Sequence, residues 1–125
     1  MVRPMSADTF KVKRGEVYLA DPDPVVGHEQ GGRRPHLVIS VNQMNRSAAG
    51  LLIGVPLTTT DRGSKLHVRL EPPEGGLNRV SFAMPEMARS VSTARLLGKL
   101  GYASPDAVES VAKHVGILIG LGRGR

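Results

Sequence analysis

Cysteine is absent from all 125 residues, which closes off both a disulfide framework and a thiolate metal site. The four histidines, His28, His36, His67 and His114, are scattered without an HxxxH or HxH spacing, and this argues against a zinc centre. Aromatic residues make up 3% of the chain (Phe10, Tyr18, Phe82, Tyr102), too few to build a platform of stacked bases. No apolar run approaches the ~18 residues of a membrane helix, and the first ten residues lack the apolar core of a secretory signal. A cytoplasmic protein that stays out of the membrane is the expectation, and nothing in the composition asks for a cofactor.

What is abundant is positive charge. Seventeen Lys and Arg against 11 Asp and Glu leave a net charge of +6, and the pI is near 10.3. That balance draws a small domain toward polyanions. The tight cationic clusters are Lys11, Lys13, Arg14 and Arg33, Arg34. At this length one domain is expected, large enough to bury roughly two thirds of its unfolded surface. Residues 1–12 read as a flexible extension, 13–122 as the folded domain and 123–125 as a basic tail.

Short apolar runs separated by turn residues mark the chain as strand-rich. Val17 and Leu19 alternate with Glu16 and Tyr18, the period of a half-buried strand that would leave Glu16 outward. Leu37–Val41 predicts a buried strand, and Asn42–Ser47 a polar capping or turning segment. Gly50–Leu57 (GLLIGVPL) is the most apolar run and predicts a central strand whose ladder stops at Pro56. Leu66–Leu70 alternates with His67 and Arg69 on its polar side, and Val80–Ala88 is a strand broken by Pro85. A helical turn is expected within Ser92–Leu96 and a last short strand at Gly98–Tyr102.

The C-terminal segment carries a full set of helix signals. Ser104 can cap it, Pro105 suits its first position, and Asp106 faces the positive end of the dipole. Val108, Val111, Ala112, Val115, Leu118 and Ile119 form one apolar stripe, while Gly116 and Gly120 each cost about 1 kcal/mol relative to alanine. Five to seven short strands and one amphipathic helix, without internal repeat or linker, imply a mainly β fold with a C-terminal helix, one sheet curled into a small barrel.

The segment Asp21–Arg33 holds Pro22, Pro24, Gly27, Gly31 and Gly32, and ends in Arg33 and Arg34 before Pro35. A loop of this length in a small domain is more often functional than idle. Pro35 pushes Arg34 toward extended geometry, so the cation is held where a loop enters a strand.

The order RGEVYLAD, DPVVGHEQGGRRPHLVIS, Asn45-Arg46 and GVPLTT resembles the MazF/PemK family of toxin endoribonucleases, over about Lys13–Leu121. The resemblance implies an SH3-like, CcdB-like barrel, a homodimer, and metal-independent cleavage of single-stranded mRNA that leaves 2′,3′-cyclic phosphate and 5′-hydroxyl ends and inhibits translation. It also implies a cognate antitoxin whose acidic C-terminal tail blocks the RNA groove. The family's catalytic arginine corresponds to Arg34 and its catalytic hydroxyl to Thr58, with Thr59 and Thr60 as alternative sources of the hydroxyl. Glu29 and Gln30 are expected near the RNA bases, with His28, Arg33, Asn42, Asn45, Arg46, Thr59, Ser64, Lys65, Glu86 and Arg89 as further substrate-binding candidates. Met87 stands where many members carry a glutamine, and His28 where serine is common, which places an imidazole in the loop.

The chemistry suits the residues. RNA brings its own nucleophile, so an arginine fork that stabilises the phosphate and a hydroxyl that donates to a phosphoryl oxygen are the central needs. Arginine is a poor proton donor, and His28 is the group in reach with a pKa suited to proton transfer. Two other functions fit the same fold: a gyrase poison acting through the C-terminal helix, and a non-catalytic nucleic-acid-binding module.

Overall fold

Val17 lies opposite Leu37 because two short apolar runs pair antiparallel, β1 (Glu16–Ala20) with β2 (Arg34–Val38). These come from a computed structural model that describes residues 11–22 and 33–122. The one-turn helix α1 (Asn42–Asn45) leads from β2 into its other neighbour, the central strand β3 (Leu51–Thr58). Four strands follow: β4 (Val68–Leu70), β5 (Ser81–Ala83), β6 (Arg89–Ser92) and β7 (Leu96–Tyr102). The order is β4-β5-β3-β2-β1-β7, with β6 on β3. Helix α2 (Pro105–Leu118) completes the mainly β architecture that the sequence implied. Among the described residues the sheet is not closed, since β4, β6 and β7 each pair on one side only, and no helix is long and apolar enough to cross a membrane.

Both faces of the sheet are apolar. One face presents Val17, Leu37, Val55, Leu57 and Leu70 to Val108 and Val111 of α2. The other gathers Tyr18, Ala20, Val38, Leu52, Val91 and Leu96 with Val12, a residue the sequence had assigned to the flexible extension. Each such side chain, fully buried, contributes about 1.5–3 kcal/mol.

The boundaries differ from the sequence expectations for identifiable reasons. β2 starts at Arg34 and ends at Val38, because beyond it the chain turns into α1 and leaves Val41 60% exposed. Pro56 does not end its ladder. It stands opposite His36, and its carbonyl accepts the Met84 N–H at 3.0 Å, so β3 runs on to Thr58 with β5 as its new partner. The turn over Thr93–Arg95 forms as expected, but the strand after it starts at Leu96. On α2, Ser104 Oγ accepts the Ala107 N–H at 3.2 Å, as the cap signal required. At the other end Gly120 (φ +82°) ends the helix: its N–H reaches the Ile117 carbonyl and the Leu121 N–H reaches that of Gly116. The apolar stripe therefore stops early, and Ile119 is 73% exposed.

Glu16 is not an outward position. It is buried, and its carboxylate accepts the Lys13 N–H at 2.8 Å and the Tyr18 hydroxyl at 2.9 Å while pairing with Lys99 at 3.0 Å. Three donors make a buried carboxylate tolerable where one alone would be costly. Burial, then the hydrogen bond to Glu16 and its negative charge, push the Tyr18 phenol far above its ordinary value of 10.0. The folded state thus holds a proton that the unfolded chain releases as pH rises past 10. Tyr18's contribution to stability is complete below that pH and declines above it. Denaturant midpoints from pH 9 to 11.5 are expected to fall more steeply for the native chain than for Tyr18→Phe; parallel curves would refute this.

Candidate active site

Antiparallel pairing sets His36 opposite Pro56, Leu37 opposite Val55 and Val38 opposite Gly54. Carried two residues further along both strands, the same register brings Arg34, first in β2, level with Thr58, last in β3. Opposed residues of such a pair lie on one face of the sheet with Cβ atoms about 5 Å apart. Both residues are half-buried, so each is anchored in the sheet yet reaches solvent.

Two hydrogen bonds fix this pair. His36 is 2% exposed and its Nδ1 lies 2.9 Å from the Arg34 carbonyl oxygen. A carbonyl only accepts, so Nδ1 carries the hydrogen and the imidazole clamps the backbone of Arg34. Thr58 Oγ1 accepts the Thr60 N–H at 3.2 Å, which orients the oxygen and leaves its hydrogen for another acceptor. Of the three threonines, only Thr58 belongs to the strand; Thr59 and Thr60 lie beyond it, exposed.

The other candidates divide by position. Arg33 is exposed beside Arg34, and Thr59, Ser64 and Lys65 are exposed on the segment that leaves Thr58. Ser64 also holds its own turn, accepting the Leu66 N–H. Arg89 is exposed on β6 opposite Gly54, four residues along β3 from Thr58. Asn42, Asn45 and Arg46 sit at the other end of β2, away from Arg34. Asn45 is a correction: it is 2% exposed, its amide engaged with the side chain and carbonyl of Ser40, so it staples α1 rather than meeting a ligand. Asn42 Oδ1 is likewise occupied, by the Arg14 N–H at 2.7 Å. His28, Glu29 and Gln30 lie outside the described residues.

His67 is a second correction. Its side chain is 4% exposed and its Nε2 is 2.7 Å from Oε2 of Glu86, so one candidate binding residue is tied to a histidine expected to point outward. Burial raises the Glu86 carboxyl, but the His67 hydrogen bond, aided by a backbone hydrogen bond and the charges of His67 and Arg62, outweighs it, and the net shift is downward. Two residues that the sequence left without a role join the row of Arg34 and Thr58. Phe82 pairs with Thr58, and Arg69 pairs with Phe82. The alternation in SFA and VRL signals strands, but no sequence pattern gives the register that aligns them.

A family model described as PemK-like, MazF-like toxin of type II toxin-antitoxin system matches residues 13–119. Endoribonuclease EndoA of Bacillus subtilis (strain 168) is 35% identical over 112 residues, 88% of this chain and 96% of that protein. Crystalline MazF (Form-I) from Deinococcus radiodurans superposes with a TM-score of 0.74 at 29% identity, covering 90% of this chain and 99% of that one. The MazE-MazF structure (Form-II) from the same organism gives 0.75 at 30% identity, with the same coverage.

Proposed function

Since the chain belongs to the PemK-like, MazF-like toxin family of type II toxin-antitoxin systems, we propose that it is an endoribonuclease that cuts single-stranded mRNA between Arg34 and Thr58. One observation supports this reading above others: an arginine with its backbone clamped and an oriented hydroxyl stand level on one sheet face, at the ends of adjacent strands. The 2′-oxygen of the substrate attacks the neighbouring phosphorus, the P–O5′ bond breaks, and a 2′,3′-cyclic phosphate and a 5′-hydroxyl result. Negative charge grows on the non-bridging oxygens. The Arg34 fork meets two of them, and the Thr58 hydroxyl donates to one. The 2′ proton passes to water, and water returns one to the leaving 5′-oxygen. The imidazole beside the pair, that of His36, is buried and engaged through Nδ1 with the Arg34 carbonyl, so it serves the backbone rather than the proton transfers; turnover is modest, which suffices for a toxin.

A cognate antitoxin is the regulatory partner, in keeping with the MazE-MazF assembly of the Deinococcus relative. Its acidic C-terminal tail would compete with RNA for the cationic face. A homodimer in the cytoplasm completes the reading.

The test is incubation with a long single-stranded RNA in EDTA, followed by sequencing of 5′-hydroxyl ends. Discrete cuts are expected. Thr58→Val should slow them by about 10- to 100-fold, the worth of a hydrogen bond to a charged group, and Thr58→Ser should restore most of the rate. Gyrase arrest without RNA fragments would favour a poison, and RNA binding without either would favour a non-catalytic module.

A further inference from the structure

Phe82 is half-buried, and among the described residues it is not one of those packed against the apolar cluster beneath helix α2. It stands between Thr58 on β3 and Arg69 on β4. One continuous line across the sheet therefore reads Arg69, Phe82, Thr58, Arg34, spanning about 14 Å at three strand spacings of ~4.8 Å. A partly exposed phenyl ring, one strand from a hydroxyl and two from an arginine, offers a planar apolar surface next to a phosphate site. The cation at the far end is available as well. Arg69 pairs with Glu71 at 2.9 Å, but both side chains are more than half exposed (59% and 67%), and such a pair exchanges readily for a phosphate.

We propose that Phe82 is a base-stacking subsite for the nucleotide next to the scissile phosphate, and that Arg69 takes the following phosphate. This rests on the assignment of Arg34 and Thr58 to the cleaved bond. Stacking on an aromatic side chain is sequence-tolerant and is worth roughly tenfold in affinity per base. Thus the subsite strengthens binding and sets register without choosing a base.

The experiment measures the Kd of a labelled single-stranded RNA made non-cleavable by 2′-deoxyribose at the cut. One abasic nucleotide is moved through every position, against the native chain, Phe82→Ala, Phe82→Trp and Arg69→Gln. In the native chain one position beside the cut should weaken binding about tenfold when abasic. In Phe82→Ala the intact RNA should bind about tenfold more weakly and the abasic change at that position should cost nothing further; Phe82→Trp should keep the penalty. Arg69→Gln should lower the slope of log Kd against log salt by about one phosphate contact. An equal abasic penalty in Phe82→Ala and native protein at every position overturns the subsite. So does RNA affinity unchanged in Phe82→Ala while an acidic antitoxin peptide is lost, which would make the row a protein-docking surface. Phe82→Leu, apolar but without a π face, replaces alanine if β5 loosens. Because Kd is read on uncleaved RNA, failed cleavage in the native chain would count against Arg34 and Thr58 separately from the subsite.

Discussion

Arg34→Ala is expected to lower kcat by about 10³-fold, with a much smaller rise in KM. The asymmetry follows from where the charge appears. In the ground state the phosphodiester carries one negative charge, which neighbouring cations such as Arg33 and Lys65 can also attract. As the 2′-oxygen attacks, a second charge develops on the non-bridging oxygens, and only a donor already pointed there gains from it. The backbone of Arg34 is held on three counts, since Pro35 restricts it, β2 pairs it with Ala20, and the buried His36 ring holds its carbonyl, so the side chain starts from a fixed point on the proposed site. Arg34→Lys should recover only part of the loss, since an ammonium supplies charge without the planar fork. Single-turnover cleavage of a defined oligonucleotide separates the two parameters. An Arg34→Ala protein that is folded and cleaves within tenfold of native would remove Arg34 from the transition state.

Gly76→Ala is expected to cost about 4 kcal/mol or more of stability, enough to unfold much of a domain whose total lies in the range of roughly 5–15 kcal/mol. Gly76 sits at φ +69°, and a Cβ there would lie 1.8 Å from the Leu100 carbonyl oxygen and 2.4 Å from its carbonyl carbon. Both obstacles are backbone, so no rotamer change relieves them. The turn Glu74–Gly76 and β7 are in direct main-chain contact. Glu74 also accepts the Ser104 N–H at 2.8 Å at the entrance to α2. Pushing the turn away therefore disturbs β7, and with it Lys99, the partner of Glu16 beside β1. Gly63→Ala is the control, since Gly63 has a similar φ of +70° but nothing within 4 Å. Its cost should be only the left-handed backbone penalty of about 1–2 kcal/mol. Comparable denaturant midpoints for the two variants would show that the close approach does not matter.

Arg34 and Thr58 come to the site through the family resemblance; what the local sequence marks is their place in the fold, a strand entrance before Pro35 and the end of the most apolar run. The helix was readable from local marks as well: Ser104, Pro105 and the valine stripe act within a few residues of one another. Asn45, Glu16 and His67 misled because polarity in a sequence says nothing about burial. Each is polar in a loop or an alternating strand whose pattern puts it toward water, yet each side chain is buried against a partner 3, 5, 19 or even 83 positions away. Gly120 looked like a flaw in the helix until its positive φ made it the stop signal.

Taken alone, the order of residues determined the element types, the single mainly β domain, the cationic character and, through the GHEQGGRRP segment, the family. Tertiary structure decided which side chains share a face. Strand period is a property of neighbours along the chain, whereas register is a property of hydrogen bonds between distant strands. Arg34, Thr58, Phe82 and Arg69 became one line only when β2, β3, β5 and β4 paired in their observed alignment. A slip of one residue in any ladder would have turned part of that line to the opposite face.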